Sequence, residues 1–318
     1  MAAPRSALVT GITGQDGGYL TEQLLAEGTA VHGLVTPGDP LAAELLARSP
    51  QVQLHEGDLL DEASLAAVVA ASAPDEVYNL AGISSVAFSW EQPVRTADIT
   101  ALGAGRLLEV VRQHDPATRF VQASSGEVFG EAAVSPQDES TPLRPNSPYG
   151  AAKAYAHHLV GVYRGTGMHA VSVLLYNHES PRRPPAFVTR KITRAAARIS
   201  QGRQDELVLG NMDVRRDWGW APDYVDGLVR ALRHDEPQDY VLATGQAHTV
   251  RDFVTAAFAR VGINDWSGLV RVDPAFVRPA DIAVLVGDAT RAREVLGWSP
   301  TVAFDELVAR MVEADLQS

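Results

Sequence analysis

The sequence predicts a doubly wound α/β fold, a parallel sheet flanked by helices, with a smaller lobe toward the C-terminal end. Three observations predict it. Short apolar runs alternate with amphipathic helical stretches through the first half of the chain, the pattern of successive βαβ units. The first apolar run breaks into a glycine-rich turn that opens a helix. The alternation then stops after residue 176, where a loop rich in proline and arginine begins.

Strands are expected at 6–10 (SALVT), 30–35 (AVHGLV), 52–57 (VQLHEG), 76–81 (EVYNLA), 119–124 (RFVQAS) and 169–176 (HAVSVLLY). Amphipathic helices lie between most of them, notably at 93–114 and 149–165. Ligands of such sheets gather at the carboxyl ends of the strands, so the residues following each run are the first candidates for function. Beyond the loop NHESPRRPPAF come a helix near 187–200, a short strand ELVLG, a further sheet strand YVLATG (240–245), and the helices VRDFVTAAFARVG and FDELVARMVEADL. Residues 1–176 with about 214–248 are expected to form the dinucleotide-binding, Rossmann-like domain. Residues 177–213 and 249–318 are expected to form the lobe over its carboxyl edge.

A chain of 318 residues can bury a large core. No apolar run approaches membrane-spanning length, and MAAPRSALV leads straight into a strand rather than reading as a signal peptide, so a cytoplasmic location is expected. The absence of cysteine excludes disulfides, thiolate metal sites and a cysteine nucleophile, and no metal site is expected. A net charge of -12 argues against a nucleic-acid partner. The charge is uneven, however: residues 182–216 carry nine Lys+Arg against three acids. That basic island suits a small anionic ligand such as a diphosphate, or else a solvated helix face. Of the 27 basic residues only Lys153 and Lys191 are lysines. A position that keeps lysine in so arginine-rich a chain is a candidate for needing a compact ammonium.

The turn GITGQDG spaces Gly11, Gly14 and Gly17 three apart between strand and helix. Glycines there let backbone N–H groups approach a pyrophosphate at the positive end of the helix. Cofactor contacts are expected from Gly11, Thr13, Gly14, Gln15, Asp16 and Gly17, from Asp58 and Leu59 after the third strand, and from Leu80 near the end of the fourth. Asp58 is placed to meet the adenine, or else to cap the next helix. An acid ending the second strand would accept ribose hydroxyls, and an arginine would meet a 2'-phosphate. HGLVTPGDP supplies neither at the usual place, since Asp39 comes late and no arginine follows the second strand until Arg48; NAD and NADP both stay open.

Tyr149 and Lys153 open a helix four residues apart, on one face. A neighbouring ammonium is expected to lower the pKa of the phenol and make it a base. Ser125 and Glu127, in ASSGEVF after the fifth strand, emerge at the same edge. The serine can hold the hydroxyl or carbonyl undergoing oxidation or reduction, and the carboxylate offers a second acid–base group. Simple dehydrogenation does not need that second group, whereas removing a proton next to a new ketone does.

The segments GITGQDGGYL, SSGEVFG, SPYGAAK, NHESPRRPPAFVTRKITRA, RRDWGWAPDYV, YVLATGQAHTVRDFV and LGW, in this order over nearly the whole chain, resemble the GDP-mannose 4,6-dehydratases, which are extended short-chain dehydrogenase/reductases. The resemblance implies a redox-neutral dehydration with NAD or NADP regenerated each turnover. Tyr149, assisted by Lys153, would take the sugar 4-hydroxyl proton. Glu127 would remove the C5 proton and help expel the 6-hydroxyl, while Ser125 holds the oxygen at C4. Tyr149 and Lys153 would also touch the cofactor. Substrate contacts are implied for Ser85, Asn177, Arg183, Lys191 and Arg216, and the second lobe would bind the nucleotide sugar. A homodimer through helices 93–114 and 149–165 is implied, with a tetramer also open. The chain departs from the family pattern in several places. Ser125 replaces threonine, TPGDP replaces paired arginines after the second strand, and no histidine lies near Ser85. PPA at 184–186 replaces Gly-Glu-Thr, and Trp220 replaces histidine. The rival readings are a 4-keto-sugar reductase or epimerase of the same family, and a dinucleotide-sensing binding protein without catalysis.

Overall fold

The computed structural model describes residues 5–276 and 282–318. The first four residues of MAAPRSALV, on which the signal-peptide reading bears, lie outside them. The chain opens with β1 (Ser6–Thr10), α1 (Gln15–Ala26), β2 (Ala30–Val35), α2 (Ala42–Arg48), β3 (Gln53–Glu56), α3 (Glu62–Ser72) and β4 (Glu76–Asn79). After α4 (Val86–Glu91), α5 (Pro93–Thr96) runs through a π-helical stretch at Ala97–Leu102 into α6 (Gly103–His114). Then come β5 (Arg119–Ala123), α7 (Pro148–Gly165) and β6 (Ala170–Leu175).

Beyond residue 176 the elements shorten. They are β7 (Asn177–Glu179), α8 (Val188–Ser200), β8 (Leu207–Leu209), β9 (Arg215–Trp220), α9 (Ala221–Arg233) and β10 (Tyr240–Leu242). The last are β11 (Ala247–Thr249), α10 (Val250–Arg260), β12 (Val270–Val272), β13 (Val284–Leu285), α11 (Thr290–Leu296) and α12 (Phe304–Leu316).

Seven strands form one sheet in the order β10-β6-β5-β4-β1-β2-β3, every neighbouring pair parallel. The connection order reverses between β1 and β4, which makes their carboxyl ends the crevice where such sheets bind ligands. One face of the sheet packs on a core that includes Leu20, Tyr224, Leu228 and Trp298, the other on one that includes Leu65, Leu107, Val111 and Val160. A third core, around Ile192, Trp218, Phe253, Phe258 and Met311, holds the smaller lobe. There β11, β9 and β13 form a short sheet that β7 joins by pairing with β9, and β12 pairs with β8. Within 214–248, α9 and β10 lie with the central sheet, whereas β9 sends Trp218 into the lobe core.

The helix expected over 93–114 is present but carries the π-helical stretch. That stretch bears the buried Thr100, whose hydroxyl accepts the N–H of Ile83 at 2.9 Å and fastens the helix to the segment leaving β4.

The glycine turn is built by close approach. Gly11 has φ +67, and a Cβ there would sit 2.9 Å from the nitrogen of Ala81. At Gly17 a Cβ would lie 2.4 Å from the carbonyl oxygen of Gly11 and 2.5 Å from Cα of Ile12. Both are backbone atoms, so no side-chain rotation relieves the clash. Gly17→Ala is therefore expected to lower stability by at least about 2–4 kcal/mol, or to prevent soluble expression. Chemical denaturation checks this, and a variant as stable as the wild type would show that α1 can back away from the turn.

Candidate active site

The residues singled out for chemistry meet beyond the carboxyl end of β5. A short 3-10 turn, Gly126–Phe129, carries Glu127, and the hydroxyl of Ser125 accepts the N–H of Glu127 at 3.3 Å. Ser147 caps α7, its hydroxyl accepting the N–H of Gly150 at 3.0 Å, with Pro148 in the first turn where no N–H is needed. A Cβ on Gly150 would fall 2.7 Å from the carbonyl oxygen of Glu127, so the bare helix start presses directly on the Glu127 turn. This brings the phenol of Tyr149 close enough to Ser125 for the serine to lower its pKa. One helical turn on, Lys153 donates from Nζ to the carbonyl of Ala123 at 2.7 Å and lies 6.0 Å from the centre of the Tyr149 ring.

The expected depression of the phenol pKa is not what this arrangement produces. Burial dominates and pushes Tyr149 up to about 12. The Ser125 hydrogen bond and the Arg183 charge pull it down, whereas the carboxylates of Glu127 and Asp16 push it up. Lys153 is buried too, and burial lowers its pKa to about 8 against an upward pull from Asp16. Desolvation outweighs charge pairing because the ammonium is spent on a backbone carbonyl.

Sequence reasoning missed the polar rail behind that carbonyl. Ala123 O also accepts from Nε2 of Gln122 (2.9 Å), whose Oε1 accepts from Nδ2 of Asn79 (2.7 Å). Oδ1 of Asn79 accepts from the hydroxyl of Thr10 (2.6 Å), which in turn accepts the N–H of Ala81. All three side chains are buried. The available signal was a polar residue at or near the carboxyl end of each of three adjacent strands.

At the glycine turn, Gly14 stands at the N-cap of α1 without a side-chain cap, and Gly17 lets the first turn of the helix close on the backbone of Gly11 and Ile12, so the bare N–H groups at the helix start fit a dinucleotide pyrophosphate. The side chains of Gln15 and Asp16 turn back on the segment after β6. Asp16 lies 2.8 Å from Nε2 of His178, Gln15 donates to the carbonyl of His178 (3.1 Å), and Ser180 donates to Gln15 (2.8 Å). The His178 ring stacks on Tyr224 with centroids 4.8 Å apart. Burial would lower the pKa of His178, but Asp16 raises it overall. Thr13 donates to Asp39. Asp58 is not the helix cap: Asp61 caps α3, and Asp58 accepts the N–H of Leu60 in the turn before it. Leu59 is buried, with its carbonyl held by Arg106, and Leu80 is half-buried beside Gly11.

Among the residues expected to hold substrate, Arg183 approaches the Tyr149 cluster, lowering the phenol pKa. Its Nε lies 3.1 Å from the buried Glu179, and its guanidinium stacks on Phe187 at 3.8 Å. Asn177 opens β7, in register with Trp218. Lys191 lies in the first turn of α8, with its pKa lowered by burial. Ser85 caps α4 through the N–H of Phe88, and the guanidinium of the buried Arg216 donates to the carbonyl of Ile282 at 2.7 Å. The basic island is thus partly spent on structure: Arg182 pairs with Glu22, Arg183 with Glu179 and Arg190 with Asp315.

The family model for GDP-mannose 4,6 dehydratase matches residues 8–311. GDP-mannose 4,6 dehydratase 1 of Arabidopsis thaliana is 47% identical over 98% of this chain and 90% of its own length. Among solved structures, the UDP-glucose 4-epimerase of Thermus thermophilus in complex with NAD superposes with a TM-score of 0.83 at 29% identity, covering 97% of this chain and 98% of its own. RMD from Pseudomonas aeruginosa complexed with NADPH gives 0.83 at 25% identity, covering 98% and 99%.

The burial of Lys153 has a readable pH signature. Its folded pKa of about 8 lies below the ordinary 10.5, so the folded state binds fewer protons than the unfolded state between those values. Its contribution therefore makes stability rise with pH across that window, by about 1–3 kcal/mol, while below pH 8 the burial cost is fully present. Denaturant titrations of the wild type and Lys153→Met at pH 7.5 and pH 10 should show the wild type gaining on the variant. An unchanged difference would mean that Lys153 titrates normally.

Proposed function

The chain belongs to the GDP-mannose 4,6-dehydratase family, and from that premise we propose how its residues take water out of a nucleotide sugar. It is a hydro-lyase that converts GDP-mannose to the 4-keto-6-deoxy sugar. A nicotinamide dinucleotide, NAD or NADP, supplies the chemistry of taking a hydride from the sugar and giving it back. The residues proposed to hold it are Gly11, Thr13, Gly14, Gln15, Asp16 and Gly17 at the pyrophosphate turn, Asp58, Leu59 and Leu80 beside it, and Tyr149 and Lys153.

In this reading Tyr149 accepts the proton of the sugar 4-hydroxyl, and Ser125 holds the same oxygen. The ketone formed at C4 acidifies the proton on C5. Glu127 takes that proton and delivers it to the departing 6-hydroxyl, which leaves as water. Lys153, its Nζ 6.0 Å from the centre of the Tyr149 ring, is proposed to assist by placing a positive charge near the phenol as it gives up its own proton. Arg183, Lys191 and Arg216 are proposed for the diphosphate, with Asn177 and Ser85 toward the sugar. Residues 1–176 with about 214–248 are proposed to serve the dinucleotide, and 177–213 with 249–318 the nucleotide sugar.

The observation that carries the reading is Glu127 close enough to Tyr149 to shift it, in the turn that Ser125 caps. A reductase or epimerase needs no elimination base there, and a silent dinucleotide sensor needs none of the set. Glu127→Gln is expected to lower kcat by about 10²–10⁴-fold while leaving dinucleotide binding intact. Mass spectrometry of the sugar nucleotide checks it. The wild type should remove one water without net cofactor reduction, and a Gln variant with full turnover would refute the assignment.

A homodimer is proposed, with a tetramer left open. Val94, Leu102, Tyr155 and Val162 expose 81%, 46%, 46% and 61% of their surface on α5–α6 and α7, which supports a covered face there. Val162→Glu is expected to shift the protein toward monomer in light-scattering chromatography; an unmoved mass would place the interface elsewhere. The cytoplasm is the proposed location, and among the described residues no helix is long and apolar enough to cross a membrane.

A further inference from the structure

The loop between β2 and α2 folds back on the glycine turn. Thr36, Pro37, Gly38 and Asp39 form a reverse turn, the N–H of Asp39 reaching the carbonyl of Thr36 at 3.1 Å. Proline second and a left-handed glycine third (Gly38, φ +72) are the residues such a turn takes. Asp39 thereby folds back toward the glycine turn instead of continuing away from the sheet. One carboxylate oxygen accepts the hydroxyl of Thr13 at 3.0 Å, and the other accepts the N–H of Leu41 at 2.9 Å. The anion is pinned at the junction of the pyrophosphate turn and the end of the second strand, where sheets of this kind receive the adenosine ribose.

We propose that Asp39 makes this chain select NAD over NADP. The selection rests on the dinucleotide reading of the site given above. A ribose 2'-hydroxyl is a donor and suits a carboxylate fixed by two other hydrogen bonds. A 2'-phosphate brings about two negative charges to the same place, and like charges at that range repel. No compensating cation is built into the loop: residues 36–47 contain Asp39 and Glu44 and no basic residue. Arg48, the next cation along the chain, lies at the far end of α2, 3.9 Å from Glu44 and over Gly18. Asp39 comes four residues after the end of β2, later than a linear reading expects, and the reverse turn returns it to the functional position.

The test is equilibrium titration of the purified protein with NADH and with NADPH, followed by nicotinamide fluorescence, at one fixed ionic strength. NADH should bind at least about tenfold more tightly than NADPH. The isosteric Asp39→Asn variant should narrow that ratio to within about threefold by strengthening NADPH binding, because it removes the charge and keeps the shape. NADPH binding as tightly as NADH to the wild type would overturn the proposal, whatever the variant does. So would an Asn variant that keeps the full ratio. If neither dinucleotide binds, the dinucleotide site itself is wrong and the selection falls with it, an outcome distinct from tight but unselective binding.

Discussion

The hydrogen bond from Lys153 to the carbonyl of Ala123 is the constraint on which the site depends. A buried ammonium without a partner costs several kcal/mol, so wherever α7 goes it must bring Lys153 to an acceptor. The acceptor belongs to the last residue of β5, and that residue's neighbour Gln122 is locked through Asn79 to Thr10. Three adjacent strands and one helix are thereby held in mutual register at the edge where the candidate site residues emerge. The glycine at position 150 completes the arrangement, because only a bare backbone lets the first turn of α7 lie on the Glu127 turn. Tyr149, Ser125 and Glu127 occupy their places because the helix, the strand and the turn have no slack between them.

Burial sets the electrostatics as much as charge does. Tyr149 and Lys153 both shift toward their neutral forms, against the simple expectation for a phenol beside an ammonium. In the smaller lobe a buried carboxylate is held by its partners. Glu179 is almost wholly buried, and it takes the Thr189 hydroxyl at 2.6 Å while pairing with Arg183. That carboxylate ties β7 to the start of α8 and aims an arginine which, by charge count alone, looked available for a ligand.

Much of this was legible in the chain itself. Apolar runs and helical periodicity located the first six central strands to within a residue or two and β10 to within three, because both report burial directly. Tyr149, Lys153, Ser125 and Glu127 could be grouped because all follow elements that end at one edge. What the sequence could not display were pairings at long range: Asp16 with His178, Gln15 with Ser180, Thr13 with Asp39. Each residue in those pairs has a plausible local role, and only the folded chain reveals the partner that claims it. Asp58 and Asp61 show the same limit at short range, since either could cap α3 and a difference of three residues decides which does.

The pairing of Asp16 with His178 also bears on how the protein comes to exist. The two residues are 162 positions apart, and Gln15 and Ser180 are 165 apart. A ribosome adding about 5–20 residues per second leaves the first βα unit waiting on the order of ten to thirty seconds for its partners to emerge. During that interval Gln15 and Asp16 must stay solvated, and the pyrophosphate turn lacks the strand that shields it. The nascent N-terminal half is therefore a different object from the same residues in the finished enzyme. The candidate site is therefore completed late in synthesis, when residues 15–16 and 178–180 are first joined.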